Sequence, residues 1–201
     1  MTERTINYSF PFWGPLVMRS KLLLDEVNQL KKLCNKKENN RWHKNLAGHF
    51  EDEFAVNTDQ YDKILRPYLH IYKQAYKTFY GKEINGKLVT RKAWVNYMKA
   101  GDFNPMHIHD SDFSSVLYLD VPKKLKDEAE KQRVKGNSSV APGSITFLTS
   151  GVETVNHTSS FSFFPTEGDV VIFPANLGHL VAPYKSKVTR VSMAANYLIE
   201  K

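Results

Sequence analysis

The apolar positions of this chain change period part-way along it. Over residues 22–36 they fall three and four apart, at Leu23, Val27, Leu30 and Leu33. Asp25 and Glu26 lie early in that stretch and lysines late, the charge order that suits a helix dipole. A longer helix is predicted from Thr58, read as its N-cap, to Gly81. Its stripe is Tyr61, Ile64, Leu65, Tyr68, Leu69, Tyr72, Tyr76 and Phe79. Pro67 falls inside the stripe, and because proline removes a helix hydrogen bond, a kink or a break is expected there. Past Asn85-Gly86 the period drops to two. Strands are predicted over 93–98, 113–121, 144–148, 157–164, 169–173, 180–182 and 188–199. Short strands following a helical N-terminal portion predict a mainly β protein, an antiparallel sandwich or barrel with N-terminal helices as its buttress.

Three stretches break the pattern. Residues 6–17 mix aromatics with Pro11, Gly14 and Pro15, which suggests an extended edge segment ending in a turn. Residues 35–56 are polar and irregular, with Trp42 and Leu46-Ala47-Gly48 as anchors, and a loop of that length is often a lid. Residues 123–143 are charged and then rich in Ser, Gly and Pro, which predicts a short helix and a mobile loop inserted between strands. The expected organisation is one domain over 1–201: a helical buttress over 1–88 and a β core over 89–201 that carries the 123–143 insertion.

Composition narrows the class. With 41% apolar and 24% charged residues among 201, the chain can bury a core, which excludes a disordered chain and a collagen-like fibre. No run approaches the roughly 18–20 apolar residues of a membrane span, and the N-terminus has no basic region followed by an apolar run, so a cytoplasmic protein is expected. The single cysteine, Cys34, cannot form an internal disulfide. The net charge of +7 comes from lysines interleaved with Asp and Glu, which read as solvated faces. Without zinc-finger spacing or an RNP-like strand, no nucleic-acid partner is expected. A small-molecule or protein substrate, including an anionic one, stays open, and nothing in the sequence sets an oligomeric state.

The chemistry-bearing residues gather late in the chain. His107 and His109 are separated by one residue before an apolar strand, and residues two apart in an extended segment project to one side, so both imidazoles can reach one metal ion. Asp110 and Asp112 add oxygen donors, and a mixed imidazole and carboxylate set suits non-haem Fe(II), Mn(II) or Zn(II). The candidate third ligand is His179, between Pro174 and a following strand. Eleven residues later Arg190 opens the last strand. An arginine pointing into an apolar barrel needs an anion partner, since a lone buried charge costs several kcal/mol; the alternative is a rim salt bridge.

These blocks resemble a known family. Gly101, then His107-Ile-His109, then Gly168, Pro174 and His179, with Arg190 eleven residues on, is similar to the skeleton of the double-stranded β-helix shared by cupins and 2-oxoglutarate/Fe(II) dioxygenases. More narrowly, Trp94 to His109, Phe113-Ser-Ser-Val-Leu-Tyr-Leu and Arg190-Val-Ser-Met-Ala-Ala-Asn resemble the prolyl-hydroxylase-like 2OG-Fe(II) oxygenases frequent in bacterial and phage genomes. The resemblance spans about residues 90–199. It implies iron at His107 and His179, the distal carboxylate of 2-oxoglutarate at Arg190, and O2 as co-substrate. The family pattern has Asp or Glu two residues after the first histidine; here that position is His109. Either three histidines hold the iron, the alignment-favoured reading, or Asp110 supplies the carboxylate. Asn96 is a candidate for the oxo acid's other end or a structural amide. The implied reaction is hydroxylation of an unidentified substrate with release of succinate and CO2. The competing classes are a cupin-type metal enzyme working without 2-oxoglutarate and a non-enzymatic β-sandwich binding module.

Overall fold

The stripe after residue 57 forms one unbroken helix, α2 (Thr58–Tyr80), so Pro67 neither breaks it nor splits it in two. A proline in a helix interior, which removes a hydrogen bond and crowds the preceding turn, costs about 3 kcal/mol. Seven residues of α2 are buried, and each large one contributes about 1.5–3 kcal/mol, so packing outweighs the proline. The N-cap is Asn57 rather than Thr58: its side chain accepts from the Asp59 and Gln60 amides at 3.0 and 3.3 Å. Gly81 ends the helix in the left-handed conformation, with φ 65°.

The computed structural model describes residues 6–9, 14–34, 47–49, 52–134, 140–149 and 159–201, less the side chains of 133 and 134. Most of the 35–56 loop read as a lid, and the tail of the 123–143 insertion at 135–139, lie outside that set. The remaining elements in chain order are β1 (Tyr8–Ser9), β2 (Met18–Lys21), α1 (Leu24–Leu33), β3 (Glu53–Ala55), β4 (Lys87–Met98), β5 (Asn104–His107), β6 (Phe113–Asp120), α3 (Lys123–Val134), β7 (Ile145–Leu148), β8 (Ser160–Phe163), β9 (Asp169–Pro174), β10 (Gly178–Val181) and β11 (Arg190–Glu200). Three of these, β2, β3 and β5, are absent from the predicted strands, while β1 falls in the extended edge segment expected over 6–17 and is an edge strand. β1, β2 and β3 come from the N-terminal portion, which therefore supplies strands as well as helices. They are two to four residues long, too short for period two to register.

All strand pairings among the described residues are antiparallel. The larger sheet runs β1-β2-β9-β6-β11-β4-β3 and the smaller β5-β10-β7-β8. From β4 to β11 the chain passes back and forth between the sheets, which gives a double-stranded β-helix. One core fills the space between the larger sheet and α1 and α2, and a second lies between the two sheets. The aromatic stripe of α2 belongs to the first. Its hydroxyls are satisfied there: Tyr61 Oη lies 2.9 Å from both Ser115 Oγ and Tyr197 Oη, and Tyr68 Oη donates to Glu26 Oε2 at 2.6 Å. Among the described residues no helix is long and apolar enough to cross a membrane.

The predicted helix of the insertion is α3, and its anchoring differs from expectation. Leu125 and Ala129, four apart, are both buried. Glu128 accepts from the Lys185 and Ser186 amides at 2.9 and 2.7 Å, pinning α3 to the loop before β11.

Candidate active site

The site begins with one cross-strand pair. β5 and β10 align His107 directly opposite His179, so both side chains leave the same face, toward the larger sheet. Each imidazole turns Nδ1 to the carbonyl two residues earlier, His107 to Pro105 O at 2.8 Å and His179 to Leu177 O at 2.9 Å. A carbonyl only accepts, so Nδ1 carries the proton and Nε2 keeps its lone pair. His109 follows in the loop after β5. Its amide donates to Ala175 O at 2.8 Å and its ring meets Trp94 edge-on, with centroids 5.9 Å apart.

The three imidazoles converge. One ring nitrogen of each lies within 4.8 Å of the others. Burial pulls His109 down to about 3, with repulsion from His179, His107 and Lys92 adding to it, and pulls His179 down to about 4 and His107 below the usual histidine range. All three are neutral at physiological pH, the form that donates a lone pair to a metal. Phe173 and Phe147 flank His179, with centroids 4.8 and 6.0 Å away.

Asp110 stands outside the cluster. Its side chain is 103% exposed and lies 3.6 Å from Arg91. Asp112 also serves elsewhere: its Oδ2 accepts from the Ile199 amide at 2.7 Å. Among the described residues the donor set brought together is therefore three imidazoles with no carboxylate.

The same cavity has a second polar end. Arg190, 3% exposed, opens β11 and lines the cavity with the histidines. Its Nη1 donates to Gly143 O at 2.7 Å and Nη2 to Met98 Sδ at 2.9 Å, while Nε has no partner among the described residues. No carboxylate of a described residue pairs with it, and burial pulls its pKa down from the usual guanidinium value. Its guanidinium carbon sits 5.4 Å from the centre of the Tyr118 ring, and Tyr118 Oη is itself buried without a partner. Asn96 on β4 and Asn104 on β5 line the stretch between the two ends, each with an unpartnered Oδ1. Buried unsatisfied groups cost about 1–3 kcal/mol each, and their gathering in one cavity marks a ligand's place. The residues present thus fit a metal ion at one end and a small dicarboxylate reaching toward the other.

The family described as "Putative 2OG-Fe(II) oxygenase" matches residues 92–196, the stretch that contains every one of these groups. The chain belongs to that family. Comparison with curated proteins gives no match. Among solved structures, a prolyl-4-hydroxylase from Pseudomonas putida is 14% identical over 94% of this chain and 95% of its own, with a TM-score of 0.59. HygX from Streptomyces hygroscopicus, solved with nickel, 2-oxoglutarate and hygromycin B bound, is 10% identical over 93% of this chain and 83% of its own, with a TM-score of 0.59. The 2OG complex of a viral collagen prolyl hydroxylase from Paramecium Bursaria Chlorella virus-1 is 14% identical over 92% and 96%, with a TM-score of 0.53. At these identities the likeness is one of fold, the double-stranded β-helix, and this oxygenase shares it along nearly its whole length.

Tyr118 and Asn104 are site residues that sequence reasoning missed. Tyr118 was legible only as part of an apolar strand. Its alternation with Val116 and its pairing with Ser192 put it inside the barrel, two positions from Arg190 on β11.

Proposed function

We propose that this oxygenase uses Fe(II), 2-oxoglutarate and O2 to hydroxylate a C–H bond of its substrate, releasing succinate and CO2, with iron held by His107, His109 and His179. The observation that carries this reading is the shared cavity: three neutral imidazole donors at one end and, at the other, a buried arginine without an anion.

Bound together, iron, 2-oxoglutarate and O2 supply oxidative decarboxylation and C–H oxidation. The protein positions and protects. Pro105 O and Leu177 O fix two imidazoles in the tautomer that presents Nε2. Arg190 Nε and Tyr118 Oη offer two free donors to the distal carboxylate, and Asn96 lines the cavity toward the oxo acid's nearer end. Trp94, Phe147 and Phe173 wall the histidines with apolar surface, which excludes water from the reacting centre.

Arg190 favours this reading over a cupin-type enzyme or a metal-free binding module, since neither needs a buried cation beside the histidines. The test is oxygen-dependent succinate formation by iron-loaded protein. Full iron content with no 2-oxoglutarate binding or turnover would move the assignment to the cupin class; no affinity for Fe(II) would move it to the binding module.

A further inference from the structure

Inward-facing residues of β4 and β11 form rows across the larger sheet, spaced by two residues, or about 6.6–6.8 Å. Arg190 pairs with Met98, Ser192 with Asn96, Ala194 with Trp94 and Asn196 with Lys92. Trp94 is where the sheet touches His109. Lys92 and Asn196 therefore stand one row past that contact, on the side away from Arg190.

Among the described residues both present donors with nothing to donate to. Asn196 is 1% exposed; its Oδ1 accepts from Ser114 Oγ at 2.8 Å, and its buried Nδ2 has no partner. The half-buried Lys92 lays its ammonium 5.5 Å from the centre of the Trp94 ring and makes no hydrogen bond or ion pair with a described residue. Asp110, the acid whose charge acts on Lys92, is engaged by Arg91, which donates to its carbonyl at 2.8 Å and lies 3.6 Å from its carboxylate. Burial works against the charge on Lys92. A neighbouring oxyanion would satisfy the amide and offset that burial together.

We propose that Lys92 and Asn196 form a subsite for an oxyanion, a carboxylate or phosphate of the prime substrate. The substrate is then anionic, with its charged group held across the histidines from the 2-oxoglutarate end. This inference rests on the oxygenase reading above. The net charge of +7 favours the approach of such a substrate.

The test uses protein loaded with Zn(II), a redox-silent and diamagnetic stand-in, and saturated with 2-oxoglutarate. Calorimetry first measures metal and 2-oxoglutarate binding. Phenyl phosphate and benzoate are then titrated while the Trp94 indole N–H resonance is followed, because Lys92 lies over that ring. A saturable shift with either probe is expected in the millimolar range, and the probe that binds tells phosphate from carboxylate. Lys92→Met and Lys92→Gln should weaken it at least tenfold, Asn196→Ala several-fold, and Lys92→Arg little. No shift in the unaltered protein, or equal affinity after both neutral Lys92 substitutions, would overturn the subsite. Should 2-oxoglutarate itself fail to bind, the oxygenase reading falls, and the same shift in Zn(II)-only protein still decides the subsite.

Discussion

His107 and His179 face each other across the β5–β10 pair, and each bonds Nδ1 to the carbonyl two residues earlier in its own chain, at 2.8 and 2.9 Å. Two separate stretches of sequence thus use one local device to aim Nε2 at a common point. Trp94 meets the His109 ring edge-on and sets it beside them.

Metal binding tests this arrangement directly. His107→Ala, His109→Ala and His179→Ala should each lose Fe(II) at micromolar concentration while keeping the native circular dichroism spectrum. Asp110→Ala, at a fully exposed carboxylate, should keep full iron content by elemental analysis. Loss of iron in Asp110→Ala with retention in His109→Ala would reverse the ligand assignment.

At the opposite end, Arg190→Ala should weaken 2-oxoglutarate on the order of a hundredfold, since losing a charge-assisted pair in a desolvated pocket costs about 2–5 kcal/mol. Arg190→Lys should recover part of that, keeping the charge without the fork. Anaerobic calorimetry reads both, and unchanged affinity in Arg190→Ala would remove 2-oxoglutarate from the assignment.

Tyr118→Phe makes a sharper case because two observables should move differently. Its hydroxyl is buried and unpartnered, so deleting it should leave the ligand-free protein as stable or more so in urea unfolding. Affinity for 2-oxoglutarate should nevertheless fall about tenfold. A large stability loss would instead point to a structural hydroxyl.

Glu53 predicts a pH dependence of stability. Its carboxyl is 1% exposed on β3, opposite Asn96, with Oε2 unpartnered, and burial raises its pKa from 4.5 to about 8. The folded state holds that proton to higher pH than the unfolded chain. Its contribution is therefore full below about pH 4.5 and is lost as pH rises to about 8, with a slope approaching about 1.4 kcal/mol per pH unit. Glu53→Gln should flatten that decline in urea midpoints between pH 5 and 8; parallel profiles for the two proteins would refute it.

For α3, the buried Leu125 should matter more than the charged surface around it. Leu125→Ala should cost about 2–5 kcal/mol and speed amide exchange through α3. Exchange in α3 that is already fast in the unaltered protein would restore the picture of a mobile insertion.

The long elements were legible because their periodicity is local. α2, 23 residues long, announces itself by the stripe from Tyr61 to Phe79, and β11 by an apolar-rich run within its 11 residues. Their ends were less so: Asn57 caps α2 through its own side chain, and an Asn or a Thr at adjacent positions reads equally well. β3 could not be read at all, since three residues carry no period and Glu53 sits at its buried end.

By itself the sequence marked His107, His179 and Arg190 as candidate metal-site and anion-site residues, through their places beside predicted strands and turns and through the resemblance that those blocks carry to double-stranded β-helix oxygenases. Whether His109 or Asp110 joins the histidines was decided only by tertiary structure. Consecutive residues leave a chain in different directions, and the choice rests on Ala175 O and the Trp94 ring, supplied by a turn and a strand distant in sequence. The same holds for Tyr118, Lys92 and Asn196. What marks them is a donor without a partner, a property of everything packed around a side chain, which only the folded chain possesses.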